Sequence, residues 1–335
     1  MGTDSGHGQG NGRALPKAAK ITIFGGSGFV GRYVVQTLAQ RGYRIRVAVR
    51  RPNDAMFLRP MGVVGQVEPI QANIRDEASV RDAVAGADCV INLVGILHES
   101  GKQTFKAVHV DGAARIAQAA RDAGVASFVQ VSAIGADPES DSAYASSKGE
   151  GEKAVLDAFP GATIIRPSVL FGPDDGFFNR FAAMARLSPV LPLIGGGDTR
   201  LQPVYARDVA EGLARILERD GMAGRIYEFG GPDVQTLREL TEMTLRIVRR
   251  RRILLPVPSF AAKAMAYFTQ YIPNPPLTPD QVRLLAVDNV VSDEAKAEAR
   301  TLEGLGLHPT SAEVVLPTYL YMFRRAGQFE RVNAG

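Results

Sequence analysis

From Lys20 onward the apolar positions fall into short runs rich in Val and Ile, separated by longer stretches in which apolar residues recur three and four apart. The runs predict strands at 21–24 (ITIF), 44–49, 66–70, 89–94, 127–132 and 162–166. The intervening stretches predict helices over 29–41, 76–85, 105–123 and 144–158. In the third, Phe105, Val108, Ala113, Ile116 and Ala120 keep helical spacing. Strand followed by helix, repeated, is the pattern of a parallel sheet covered on both faces, because a parallel pair needs a crossover of a dozen or more residues.

After Arg166 the chain changes to segments broken by proline and glycine, such as RPSVLFGPDDGFF and SPVLPLIGGGDTR. A helix at 207–219, a strand at 225–229 and a helix at 236–249 follow. The fold expected is α/β: a Rossmann-type doubly wound parallel sheet with a smaller C-terminal α/β lobe. In this division residues 1–19 form a flexible tail and 20–166 a nucleotide-binding domain. The smaller lobe takes 167–330, with about 204–230 returning to the main sheet. The first 20 residues, with five glycines and almost no apolar residue before Leu15, cannot pack, and they match neither a secretory signal nor an arginine-rich transit peptide.

Composition narrows the function classes. The net charge of +4, from 39 basic and 35 acidic residues, is too small a surplus for a general nucleic-acid binder. One cysteine, Cys89, excludes an internal disulfide and a cysteine-based metal cluster, and the four histidines lack metal-ligand spacing. No apolar run reaches the roughly 18 residues of a membrane span, so membrane association is expected to be peripheral.

The segment IFGGSGFVG places Gly25, Gly28 and Gly31 directly after the first strand and at the opening of the first helix. Gly25 allows the tight turn, Gly28 lets backbone approach a pyrophosphate, and Gly31 lets helix and sheet pack closely while the first helical amides face the anion. An NAD site should have an acidic residue about 20 positions on, but the second strand ends in Val49-Arg50-Arg51. The guanidinium forks of Arg50 and Arg51 suit a 2′-phosphate, which points to NADP(H); two solvated loop arginines are the alternative. Tyr144 and Lys148 lie four apart on one face of a helix, after a strand whose last residue is Ser132. In a hydride transfer Ser132 would bond the carbonyl oxygen, Tyr144 would donate the proton, and Lys148 would lower the tyrosine pKa and hold the ribose. The same three groups kept only for binding or folding is the other reading.

Through GGSGFVG, the Ser132/Tyr144/Lys148 set and RPSVLFGP, the chain resembles the extended branch of the short-chain dehydrogenase/reductase superfamily over roughly residues 20 to 325. The resemblance implies that Ser27, Phe29 and Val30 contact the phosphates. It also implies that Val94 and Gly95 lie under the adenine ribose, and that Pro167, Ser168 and Val169 line the nicotinamide end. Asn73 and Ile74, in a turn running to Asp76, match the adenine side, with Asn73 in place of the usual acid. Active members commonly carry an asparagine proton relay in the fourth helix, where this chain has His109, so the resemblance implies a vestigial catalytic set.

The segments IIRPSVLFGPDDGFFNRFA, QPVYARDVA and PNPPLTPDQVRLLAVDNVVS further resemble the nucleotide-binding accessory subunits of respiratory complex I. That resemblance implies a structural NADP(H) and a non-catalytic protein docked among the peripheral-arm subunits near the quinone site. Its place would be the cytoplasmic face of a bacterial inner membrane, or the matrix side in a mitochondrion. Arg249–Arg252 beside the apolar segment ILLPVPSF, with Met265, Phe268 and Tyr271 after it, suit acidic subunit patches or anionic headgroups, or else a solvated charge run over ordinary core. An active NADP-dependent reductase or epimerase for a small carbonyl or sugar-nucleotide substrate is the reading from another class. Asp174, Asp175, Asp198 and Arg207 occupy loops that would suit either substrate contact or loop capping.

Overall fold

The computed structural model describes residues 14–269, 277–325 and 327. Thirteen of the residues expected in the tail, 1–13, lie outside that range. Ala14 and Leu15 already make backbone bonds, the first to the Asp220 carboxylate and the second to the Leu217 carbonyl.

The first half runs β1 (Lys20–Phe24), α1 (Phe29–Gln40), β2 (Arg44–Val49), a 3-10 helix (Pro52–Met61), β3 (Val67–Gln71), α2 (Glu77–Val84), β4 (Cys89–Asn92), α3 (Asp111–Asp122), β5 (Ser127–Val131), α4 (Ala143–Ala158) and β6 (Thr163–Pro167). The main sheet has seven strands, and its seventh, Ile226–Phe229, comes from late in the chain. In order across the sheet it reads Ile226–Phe229, β6, β5, β4, β1, β2, β3. The order reverses between β1 and β4, which opens a crevice beyond the carboxyl ends of those two strands. Strands buried on both faces explain the near-continuous apolar runs: Ile21, Ile23, Val47, Val90, Ile91, Phe128 and Val129 are all fully buried. One core of this sheet joins Phe24, Val80, Val90, Ile116, Phe128, Val155 and Ile164.

The second half runs β7 (Leu170–Phe171), α5 (Phe178–Leu187), β8 (Val190–Ile194), β9 (Arg200–Leu201), β10 (Val204–Tyr205), α6 (Ala206–Glu218), β11 (Ile226–Phe229), β12 (Gln235–Thr236), α7 (Leu237–Ile247), β13 (Ile253–Val257), α8 (Ser259–Thr269) and α9 (Pro279–Leu284). Three two-stranded pairings occur here: β7 with β10 and β8 with β13, both parallel, and β9 with β12, antiparallel. Four of these strands are only two residues long, and β8 and β13 are interrupted by proline, so periodicity did not reveal them.

The chain divides into two compact units. One comprises the residues up to Pro138, Ser146–Arg166 and Ala210–Tyr227; the other comprises Glu139–Ala145, Pro167–Val209 and the chain from Glu228. The second has its own core, centred on Phe171, Phe178, Leu240, Met243, Leu316 and Tyr319.

Two local differences from the sequence reading have clear causes. The strand expected at 89–94 stops at Asn92, whose side chain accepts from the Val94 N–H and turns the chain out of the sheet. The helix expected at 105–123 is α3 preceded by a π-helical turn, Lys106–Val110, and that widened turn carries His109.

Candidate functional site

The glycine loop joins β1 to α1. Gly25 has φ +79°, a left-handed conformation that excludes most side chains, and its carbonyl accepts from the Gly28 N–H at 3.0 Å. A Cβ on Gly31 would lie 2.4 Å from the Gly25 oxygen and 2.6 Å from the Gly26 backbone. A Cβ on Gly28 would sit 3.2 Å from that same oxygen. The loop is thus a backbone cradle closed against its own helix. Phe29 and Val30 open α1, and the backbone carbonyl of Ser27 accepts from Arg32.

Beside this cradle a cleft of about 390 Å³ is lined by Ser27, Val49, Arg50, Arg51 and Asp54. Both arginines are exposed; Arg51 approaches Asp54 at 4.0 Å, while Arg50 makes no bond or ion pair among the described residues. Two guanidinium groups lining a cleft next to a glycine-rich turn can take an anionic group. In the turn after β3, Asn73 accepts from the Arg75 N–H through its side chain, and the Ile74 carbonyl accepts from Arg115 at 2.6 Å. Asp76 caps α2 through the amides of Ala78 and Ser79.

At the carboxyl ends of β4 and β5 the first unit holds a buried polar chain that the sequence reading did not pick out. Asn92 and Gln130 are cross-strand neighbours, and the Asn92 amide donates to the Gln130 oxygen at 2.9 Å. Gln130 and the buried Lys148 ammonium both donate to the Val131 carbonyl at 3.2 Å. Ser132 follows directly, 5% exposed, and its Oγ is the buried side-chain polar atom left without a partner among the described residues. An orphaned hydroxyl at this sheet edge is costly unless a ligand satisfies it. Val94 and Gly95 lie in the loop after β4, where a Cβ on Gly95 would come 3.6 Å from the Lys148 Nζ and 3.7 Å from the His109 Nε2.

His109 ties this loop to α4. The Ile96 N–H donates to its Nε2 at 3.0 Å, so Nδ1 carries the ring hydrogen and donates to the Ser147 Oγ at 2.9 Å. α4 can approach this closely because of Gly151, where a Cβ would fall 2.1 Å from the His109 carbonyl oxygen. Burial first, and the Lys148 charge second, push the imidazole down to about 3. A neutral ring bonded through both nitrogens holds the loop after β4 against α4.

The sign of its pH effect follows. The unfolded imidazole takes a proton below its ordinary pKa of about 6.5, whereas the folded one resists until about 3. Stability should therefore fall as pH drops through that window, by up to about 1.4 kcal/mol per pH unit. Urea midpoints measured from pH 7 to 4 should show this slope, and His109→Asn should flatten it. An equal slope in that variant would assign the acid sensitivity to other groups.

Burial pushes Lys148 down to about 8, against the opposing pull of the Glu152 carboxylate one helical turn on. Glu152 is itself buried and receives both Nε and Nη2 of Arg166, the shortest bond being 2.6 Å. Tyr144 lies in the first turn of α4, in the stretch that clusters with the second unit, and burial pushes its phenol up to about 12. A general acid benefits from a pKa moved toward the working pH; this one moves the other way.

Pro167, Ser168 and Val169 also belong to the second unit. There the Ser168 Oγ bonds Asn289 through both its backbone and side-chain oxygens. Asp175 is buried and accepts from the amides of Phe177 and Asn179 and from the Tyr319 hydroxyl, so it caps α5. Asp174, Asp198 and Arg207 are exposed. Arg250 and Arg252, two members of the basic run, donate to the carbonyls of Phe323 and Ala185. Met265 is exposed; the side chain of Phe268 and all of Tyr271 lie outside the described residues. Among the described residues no group of His, Cys, Asp and Glu could hold a metal ion, and no helix is long and apolar enough to cross a membrane.

Residues 21–230 match the model of the NAD dependent epimerase/dehydratase family. The chain is 37% identical, over 94% of its length and 81% of the relative's, to the mitochondrial NADH dehydrogenase [ubiquinone] 1 alpha subcomplex subunit 9 of Arabidopsis thaliana. It is 31% identical to the mitochondrial NADH-ubiquinone oxidoreductase 40 kDa subunit of Neurospora crassa, over 93% of this chain and 80% of that one. Among solved structures, the triphenylmethane reductase of a Citrobacter species superposes with a TM-score of 0.72 at 20% identity, covering 90% of this chain and all of the other, a likeness of fold.

Proposed function

The chain belongs to the NAD dependent epimerase/dehydratase family, and from that premise we propose that it is an NADP(H)-binding accessory subunit of respiratory complex I, non-catalytic, that stabilises the peripheral arm near the quinone site. The observation carrying the nucleotide is the backbone cradle of Gly25, Gly28 and Gly31 beside the cleft of Arg50 and Arg51. The assembly role rests on the identity, over most of the chain, to two proteins named as subunits of that complex.

The chemistry fits the group. The α1 amides and Ser27 would hold the pyrophosphate, Arg50 and Arg51 the 2′-phosphate, Asn73 and Ile74 the adenine side, and Val94 and Gly95 the ribose. Ser132 would donate or accept through its orphaned hydroxyl, and Lys148 would hold the nicotinamide ribose. NADP(H) supplies hydride chemistry in active members of such families. Here the imidazole at 109 is locked neutral and the phenol at 144 is pushed up, which favours retention of the nucleotide over its turnover.

A partner would also explain the surface. Ile253, Leu255, Phe260, Met265 and Tyr267 leave an apolar stretch open on β13 and α8, beside Arg249 and Arg251, as a face covered in an assembly would. Its location would be peripheral, on the cytoplasmic face of a bacterial inner membrane or the mitochondrial matrix side.

Isolation from native membranes in mild detergent, with mass spectrometry of co-migrating subunits and released nucleotide, tests both halves. Complex I subunits with one NADP(H) per chain are expected. A free protein with readily exchanged nucleotide, losing turnover by about 100-fold on Tyr144→Phe, would instead establish the reductase or epimerase reading. For the cofactor itself, Arg50→Glu should reduce the preference for NADPH over NADH by about 10- to 100-fold, the worth of a charge-assisted phosphate bond. Competition titration measures it, and an unchanged ratio would remove Arg50 from the site.

A further inference from the structure

The cleft of about 390 Å³ beside the glycine turn lies wholly within the first unit, and its lining includes one charged group still without a role, the Asp54 carboxylate. The acid of an NAD site is missing at the end of β2, where Val49 is followed by Arg50 and Arg51. The next element brings a carboxylate to the same cleft.

The 3-10 helix Pro52–Met61 holds it there. Pro52 stands at the opening of that helix with its φ fixed by the ring, and the Asp54 N–H donates to the Arg51 carbonyl at 3.1 Å. Ala55 and Leu58, three apart and so on one face of a 3-10 helix, are both fully buried. With that face anchored, the Asp54 side chain is left 72% exposed at the cleft, 4.0 Å from an Arg51 guanidinium that is 84% exposed. Among the described residues the carboxylate makes no hydrogen bond and no other ion pair. So exposed a pair adds little to stability, and the consequence of the charge lies in what enters the cleft.

We propose that Asp54 is a specificity-determining residue of this cleft: its charge opposes a phosphate held by Arg50 and Arg51, and its oxygens accept from a free ribose hydroxyl in the same place. Two arginines suit a 2′-phosphate and a carboxylate suits a 2′-hydroxyl, and the cleft is lined by both kinds of group. An entering phosphate meets Asp54 as a like charge and competes with it for Arg51; a hydroxyl does neither. The chain therefore accepts both nucleotides, with its preference for NADPH held below what two arginines alone would give. This rests on the nucleotide-binding reading above.

The test equilibrates the full chain with a mixture of NADPH and NADH and identifies the bound nucleotides by mass spectrometry. Asp54→Asn should raise the bound NADPH to NADH ratio by about fivefold at low salt, the worth of one exposed charge contact. At about 0.5 M salt, where charges are screened beyond about 4 Å, that gain should shrink below about twofold. Asp54→Glu, which keeps the charge, should stay within about twofold of wild type. The nucleotide-free Asp54→Asn chain should melt with wild type, because the carboxylate holds no hydrogen bond of the fold. An unchanged or lower ratio in Asp54→Asn, an equal gain in Asp54→Glu, or a gain indifferent to salt would overturn the proposal. If the wild type retains neither nucleotide, the nucleotide reading fails, and inorganic phosphate decides the Asp54 assignment. Calorimetric titration should then show phosphate bound about fivefold more tightly by Asp54→Asn than by wild type. Equal affinities, or no phosphate bound by either protein, would overturn it.

Discussion

Gly31→Ala is expected to eliminate nucleotide retention and to lower the melting temperature in one step. The added methyl would meet the Gly25 carbonyl oxygen at 2.4 Å and the Gly26 backbone at 2.6 Å, and both are main chain that cannot swing aside. Either α1 moves away from β1 or the loop opens; both spread the amides that would face the pyrophosphate. Overpacking of this kind costs about 1–3 kcal/mol, so a loss of affinity of about 100-fold and a fall of several degrees in Tm should appear together. Calorimetric titration with NADPH and a thermal scan measure the two. Gly42→Ala is the control, since its φ of +87° strains any side chain but no atom lies within 4 Å; it should cost stability without touching affinity. Nucleotide binding in Gly31→Ala within about threefold of wild type would mean that the loop is not the phosphate cradle.

The second large effect is expected at Glu152→Ala. The Glu152 side chain is 6% exposed and the Arg166 side chain 23%, and they share three hydrogen bonds between α4 and β6. Arginine does not shed its proton, so removing the carboxylate leaves a charge in a half-buried place, with a cost of about 3 kcal/mol or more. Replacing both, as Glu152→Leu with Arg166→Met, should recover most of that loss, because the apolar pair needs no compensating charge. The single change should also act on the site. The Glu152 charge supports Lys148, whose ammonium burial already holds at about 8. Without that support the lysine loses charge at lower pH, and nucleotide retention should weaken above neutrality before it does at pH 6. Chemical denaturation of the two single variants and the double measures the first effect, and NADPH retention against pH the second. Additive losses in the double would show that the two side chains do not act as a pair.

The parts of this molecule legible in its sequence are those that local physics dictates. Alternating β-branched runs and helical spacing located β1 to β6 and the helices between them, because strands buried on both faces must be apolar throughout. GGSGFVG was readable because only glycine permits the left-handed turn at Gly25 and the close approach at Gly31. Arg50 and Arg51 could be placed directly after β2, because the run RIRVAV ends at Val49.

The remainder depends on partners far apart in sequence. Nothing local distinguishes Asn92 and Gln130 from other buried amides until parallel register sets them side by side. His109 invited a comparison with a proton relay, but its neutral form comes from burial and the Lys148 charge, and its single tautomer from the Ile96 amide and Ser147. The run of arginines at 249–252 reads as a surface charge, and two of its members turn back to carbonyls at the ends of α5 and of the 3-10 turn Tyr321–Phe323. Asp280 reads as an ordinary helix-opening residue, yet its carboxylate serves α4. By itself the sequence determined the order of β1 to β6 and their helices, the parallel sheet and the glycine turn, since these follow from periodicity and backbone sterics. Only the tertiary structure decided protonation, tautomer and capping at the site, since those are set by desolvation and by charges that the fold brings together.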